Sequence, residues 1–192
     1  MRELVFATNN KHKVDEVADK IGDKIKLLTL KEIGCLEDIE ETGITFRENA
    51  SIKSRYVFDK YKLNCFADDS GLEVDALNCE PGVYSARYAG THGDHAANIA
   101  KVLEKLGDST NRNARFVTVI SLIWDGHEYF FEGTVKGTIR HNPSGINGFG
   151  YDPIFQPEGY DITFAEMSLE QKNKISHRAI AMERIVEFLK GA

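Results

Sequence analysis

The segment Phe66-Ala67-Asp68-Asp69-Ser70-Gly71-Leu72 holds the densest chemistry in the chain. A short apolar strand runs into two adjacent carboxylates and a Ser-Gly turn, and a strand end holds a side chain in a fixed direction. Neighbouring acids repel one another unless a proton or a cation sits between them. Mg²⁺ suits that position, because it takes oxygen ligands and keeps most of its waters. The same residues also make an ordinary solvated β-turn, since Asp, Ser and Gly are favoured there. On this segment alone both readings stand.

Three further segments bear on the choice. Thr8-Asn9-Asn10-Lys11-His12-Lys13 joins the first strand to the first helix, and Ser176-His177-Arg178 opens the last helix. A helix N-terminus is its positive end and favours acids, so each cation there costs about a few tenths of a kcal/mol. Local rules broken in this way mark functional sites. Either the side chains extend into water, or the backbone N–H groups and the cations converge on a phosphate. Neither segment is a Walker loop, because GxxxxGK[ST] is absent. The third segment is Gly148-Phe149-Gly150-Tyr151-Asp152-Pro153-Ile154-Phe155. Its glycines admit a close ligand and Phe149 offers a ring for a base; the alternative is a Gly/Pro turn whose Phe and Tyr pack in the core.

Periodicity predicts the elements that carry these residues. A strand covers Glu3 to Ala7, and a helix follows from about Lys11 with Val14, Val17, Ala18 and Ile21 on one face. Ile25 to Leu30 reads as a second strand, and an acidic loop with Glu37, Asp38, Glu40 and Glu41 comes next. Thr45-Phe46-Arg47-Glu48 has the form of a capping box and opens a helix to about Tyr61. The strand into Asp68 follows. A helix from Asp94 buries Ile99, Val102, Leu103 and Leu106 and stops at Gly107. Ala114 to Trp124 is apolar on both faces, as a central strand is. Asp125-Gly126 turns the chain into a strand from His127 to Ile139. After a Gly-rich loop over 143–150, the last helix runs from Ser176 to about Lys190. Strand-helix alternation followed by a long hairpin implies an α/β fold with a mixed sheet and helices on its faces. If that hairpin extends beyond the core it makes a second lobe, and a cleft between lobes is then the natural site.

Composition sets outer bounds. The 192 residues suit one domain, 42% hydrophobic and 28% charged, and argue against disorder. No apolar run is long enough to span a membrane, and no secretion signal is read at the start of the chain. Cys35, Cys65 and Cys79 form no CxxC pair and fit a reducing cytoplasm. A net charge of −6 disfavours long nucleic acid but not a nucleotide, which a few focused cations and a metal can hold.

Taken in series, these segments resemble the inosine/xanthosine triphosphate pyrophosphatases, house-cleaning enzymes for deaminated purine nucleotides. The resemblance covers nearly the whole chain. It runs through Ala7 to Lys13, Glu40-Glu41-Thr42-Gly43, Glu48-Asn49-Ala50 with Lys53, and Ala67 to Leu72. It continues through Pro81 to Gly90, Gly148 to Phe155, and Ser176-His177-Arg178. It implies an elongated, two-lobed single domain over 1–192 with a central twisted mixed sheet flanked by helices, a homodimer, and dependence on Mg²⁺. It implies that Asp69 is the acid at the reaction centre and Glu40 a second metal carboxylate. Thr8, Asn9, Asn10, Lys11, His12, Lys13, Lys53, Ser70 and Lys172 then hold the triphosphate or nearby atoms. Phe149, Gly150, Tyr151, Asp152, His177 and Arg178 contact the nucleoside end and its phosphates. The chain departs from the family pattern at Asn9, often Gly, where Asn is expected to tolerate the left-handed backbone, and at Ile146-Asn147 before Phe149.

The implied reaction is attack of water on the α-phosphorus, with pyrophosphate leaving. A cationic donor such as Arg178 suits the carbonyl oxygen at purine C6, and adenine would leave that donor unpaired. Guanine shares this oxygen and has to be rejected at C2, for which no residue is singled out. Other readings are a nucleotide pyrophosphatase or phosphatase of different base preference, a nucleotide-binding sensor, and a structural interaction domain. An Asp-x-Asp nucleophile pair is not formed by Asp68-Asp69, which lack the spacer.

Overall fold

The computed structural model describes residues 2–21 and 25–191. Its elements run β1 (Arg2–Phe6), α1 (Lys11–Ile21), β2 (Ile25–Thr29), α2 (Phe46–Tyr61), β3 (Cys65–Val74), α3 (His95–Leu106), β4 (Asn113–Trp124), β5 (His127–Ile139), β6 (Phe155–Pro157), α4 (Leu169–Lys172) and α5 (His177–Gly191). The strands form one mixed six-stranded sheet in the order β2-β1-β3-β4-β5-β6, so the fold is α/β. β1 pairs in parallel with β2 and β3, and β6 pairs antiparallel with β5. β4 lies inside the sheet and is buried almost throughout, as its two apolar faces require.

Local signals account for most boundaries. Thr45 and Glu48 close both halves of the capping box: Thr45 Oγ1 accepts from the Glu48 N–H at 3.2 Å, and Glu48 Oε2 accepts from the Thr45 N–H at 3.1 Å. Asp94 accepts from the Ala97 N–H at 3.0 Å and starts α3, which ends at Gly107. Asp125 and Gly126 have φ of 48° and 82°, the paired positive φ of a type I′ turn whose twist matches its strands.

Three expectations change. β3 does not end at the carboxylates but continues through Ser70-Gly71 to Val74, so Asp68 and Asp69 lie mid-strand and their side chains point to opposite faces. In α1 the buried polar residue is Glu16, whereas Ala18 is exposed. Asn9 is not among the described non-glycine residues with positive φ; the turn closes instead through Asn10 N–H to Thr8 Oγ1 at 3.1 Å.

The described residues gather into two compact units, between which the chain passes within β3, β4 and β5 and at the start of α5. The first spans Met1–Asp69, Thr118–Gly133 and Arg178–Ala192. Leu4, Phe6, Phe66, Ile120, Leu122 and Met182 make one of its cores, and Val5, Ala7, Val57, Cys65 and Ala67 belong to another. The second spans Ser70–Val117 and Thr134–His177, with a core that includes Leu72, Val102, Phe116, Ile154, Phe155 and Phe164. The three cysteines are free, and no described helix is long and apolar enough to cross a membrane.

Candidate active site

In the first unit, β3 presents Asp68 to the starts of two helices. Lys13 Nζ lies 3.0 Å from Oδ1 and 2.9 Å from Oδ2, and Arg178 Nε donates to Oδ2 at 3.2 Å. The guanidinium of Arg178 also pairs with Glu16. Arg178 is 2% exposed and Glu16 4%, which makes this a buried network rather than a surface pair. One cation from each helix start, Lys13 and Arg178, thus shares one anion, the Asp68 carboxylate. Burial opposes the charge on Asp68, but Lys13, Arg178 and Lys53 override it and hold its pKa far below the usual carboxylate range. Burial, with Lys53 and Arg178 nearby, lowers the pKa of Lys13 despite Asp68. Burial also opposes the charge on Arg178, but Glu16 and Asp68 raise its pKa.

The rest of the first loop divides. Asn10 Oδ1 accepts from the N–H groups of His12 and Lys13 at 3.0 and 3.4 Å. Those amides are therefore capped by a side chain, where free donors were expected. Asn9, Lys11 and His12 are exposed, and Thr8 is half-buried.

Asp69, on the opposite face of β3, has a different environment. Asn49 Nδ2 donates to its Oδ2 at 3.0 Å. Burial raises its pKa and Glu41 adds to the rise; Lys53, Lys13 and the Asn49 bond pull the other way, and the result is about 6. Lys53 pairs with Glu41 and donates to the Asp68 carbonyl at 2.7 Å. Against the pull of burial, Glu41, Asp69 and Asp68 raise the Lys53 pKa. Ser70, the next residue along β3, is half-buried.

No group of three or more His, Cys, Asp or Glu is arranged to hold a metal among the described residues. The charge of Glu41 adds to the raised pKa of Asp69, a repulsion that a cation would relieve. Few protein carboxylates, with water and phosphate completing the shell, is the Mg²⁺ pattern. Glu40, the expected second metal carboxylate, lies exposed on the loop beside Glu41.

In the second unit, Gly148 to Asp152 and α4 build another cluster. Lys172 Nζ donates to Asp152 Oδ2 at 2.7 Å, with both side chains buried. The Phe149 N–H donates to the same oxygen at 3.0 Å, and Lys172 Nζ lies 5.0 Å from the Phe149 ring centroid. Phe149 and Gly150 are half-exposed, whereas Tyr151 is buried and donates through its hydroxyl to the Ser85 carbonyl at 2.7 Å. The two aromatics thus split the expected alternatives, Tyr151 joining the core and Phe149 keeping an open face. His177 is buried and stacks on Phe116, with centroids 4.7 Å apart and planes 10° apart. The Asn147 N–H donates to the Ala165 carbonyl at 2.9 Å, and Asn147 Nδ2 donates to the Met167 carbonyl at 3.0 Å, anchoring the approach to Phe149.

Gly148 has φ of +72°, and a Cβ there would fall on Asp152 Oδ2. Gly148→Ala is therefore expected to lose about 1–3 kcal/mol of stability. An unchanged urea midpoint would refute this reading of the loop.

Sequence reasoning gave no role to Glu16, Glu41 or Asn49. Asn49 carried a signal: it falls on the α2 stripe with Phe46, Ala50, Ser54 and Val57, and a polar side chain on a buried stripe requires partners. Glu16 carried none, because its partner lies 162 residues away.

The pattern of the Ham1 family matches residues 4–188. A dITP/XTP pyrophosphatase of Flavobacterium psychrophilum is 52% identical over 189 residues, covering 98% of this chain and 100% of that protein. The Staphylococcus aureus Ham1 protein superposes with a TM-score of 0.91 at 46% identity, with 99% of each chain covered. A HAM1 protein from Coxiella burnetii superposes with a TM-score of 0.92 at 42% identity over 100% of both chains.

Proposed function

The chain belongs to the Ham1 family and is an enzyme acting on nucleoside triphosphates, and we propose that it hydrolyses ITP, dITP and XTP to the monophosphate and pyrophosphate. The observation that carries this reading is the divergence of two adjacent carboxylates. Asp68 is held as a permanent anion by Lys13 and Arg178, while Asp69 is raised to about 6. Titratable neighbours pushed apart in this way mark an acid/base assignment, and a base works best when its pKa lies near the working pH.

Asp69 either accepts the proton of the attacking water or holds the metal. Lys13 and Lys53 neutralise charge on the triphosphate, helped by the Thr8 to His12 loop and Ser70; phosphoryl transfer is mostly a matter of such positioning and neutralisation. In the second unit Phe149 and Gly150 contact the nucleoside end, with Asp152, Lys172 and His177, and Tyr151 supports them from the core. Arg178, whose guanidinium already serves Asp68 and Glu16, contributes chiefly by keeping Asp68 ionised. Asp69 and Glu41, with Glu40 alongside, would hold Mg²⁺, which when bound neutralises phosphate oxygens and acidifies a water. The similarity to proteins named dITP/XTP pyrophosphatase supports the choice of base. A homodimer in a reducing, cytoplasmic setting completes the proposal.

The test is hydrolysis of ITP, XTP, GTP and ATP with and without Mg²⁺, followed by chromatography of the products. The expected result is Mg²⁺-dependent release of IMP or XMP with pyrophosphate, and little loss of GTP or ATP. Orthophosphate as the first product, or no turnover of any triphosphate, would overturn the proposal; tight ITP binding without turnover would favour a sensor.

A further inference from the structure

Asn49 is fully buried in α2, and the two ends of its amide reach two different segments. Oδ1 accepts from the Gly43 N–H at 2.8 Å, and Nδ2 donates to Asp69 Oδ2 at 3.0 Å. The amide orientation follows from its partners, since a backbone N–H only donates and a carboxylate only accepts. One turn further along α2, Lys53 makes the same crossing, from Glu41 to the Asp68 carbonyl. The loop is also pressed onto the helix here: a Cβ at Gly43 would collide with Glu48 and with Asn49 Oδ1. One side chain thus ties the strand bearing Asp69 to the loop bearing Glu41.

We propose that Asn49 is a positioning residue, its amide fixing the orientation of the Asp69 carboxylate and the register of the Glu41–Gly43 loop against it. The proposal rests on the pyrophosphatase reading above. Because Oδ1 holds Gly43, Glu41 stays within electrostatic reach of Asp69. Asn49 acts through the groups it holds, so its loss is felt through Asp69 and Glu41.

Asn49→Leu keeps the branched outline of the side chain and removes both bonds; Asn49→Ser is the milder change should leucine prevent folding. Val57→Ala, another fully buried position on α2, is the control for loss of stability without loss of the tie. Steady-state kinetics on ITP or XTP and backbone amide exchange of the peptide over residues 41–45 are measured for all three and the wild type. Either Asn49 variant is expected to lower kcat about 10- to 100-fold, since small misplacements of a catalytic group cost that much. KM should rise only about two- to three-fold, because the base contacts are made elsewhere. Exchange at 41–45 should accelerate. Val57→Ala should lower the urea midpoint and leave both readouts within about two-fold of wild type. A folded Asn49 variant with kcat like that of Val57→Ala, or with unchanged exchange at 41–45, overturns the proposal. Absence of turnover in the wild type sinks the reaction reading and the catalytic half of this proposal with it, while exchange still reports separately on the tie.

Discussion

Asp69→Asn is expected to lower kcat by about 10²- to 10⁴-fold, the usual contribution of a general base, while KM for ITP or XTP changes only a few-fold. The same substitution should make the protein more stable at neutral pH. An asparagine at 69 keeps an oxygen to accept from Asn49 and removes the charge that burial and Glu41 oppose. The sign follows from linkage. The folded carboxyl has a pKa of about 6 against an ordinary 3.8, so the folded state holds its proton more tightly than the unfolded chain. The stability tied to that proton is fully present below about 3.8 and is lost as pH rises through about 6. At pH 7 the loss is about 3 kcal/mol. Urea unfolding of wild type and variant without added metal, from pH 4 to 7.5, checks this. The variant should gain its advantage as pH rises, and the two curves should converge near pH 4. A variant with near wild-type turnover, or a stability difference that ignores pH, would remove Asp69 from the role given to it.

Arg178→Ala is expected to cost about 3–5 kcal/mol, the penalty for leaving buried charge without its partner, which is a large part of the roughly 5–15 kcal/mol that holds a typical domain together. Its guanidinium serves Glu16 and Asp68 together, and Glu16 lies deep in α1. Glu16→Leu alone should be costly for the same reason. The double change Glu16→Leu with Arg178→Met should cost distinctly less than the two single changes added together, because no lone charge remains between them. A double-mutant cycle from urea midpoints measures the coupling. Additive effects would mean that the pair is not one unit.

Much of the frame was legible in the sequence because its signals are local. The Thr45/Glu48 box, the Asp125-Gly126 turn, the Asp94 cap and the apolar run of β4 each act over a few residues, and each sits where expected. What escaped depends on distant partners. Asp68-Asp69-Ser70-Gly71 has the composition of a turn, yet β3 passes straight through it. Asp68 finds its cations 55 and 110 residues away, and Asp69 finds Asn49 20 residues away, so local propensity was outweighed by pairing. Helical spacing placed Ala18 on the inner face, but it could not reveal that Glu16 is drawn inward by an arginine near the other end of the chain. β6 is only three residues long and too short for any periodic signal. Glu40 and Glu41 are indistinguishable by type in an acidic run, and only the fold decides that Glu41 is the one that pairs with Lys53.

The pairing around β3 has a consequence for how a polyanion enters. Lys13, Lys53 and Arg178 are matched by Asp68, Glu41 and Glu16, so the resting site already carries its own counter-ions. An incoming phosphate does not fall into an open positive well. On the proposed reading it would exchange places with a built-in carboxylate at Lys13 or Lys53, as an anion does on a resin that is already loaded. Such a site gives little hold to orthophosphate or to any fragment too small to complete the exchange. It would favour a ligand that brings several anionic groups at once.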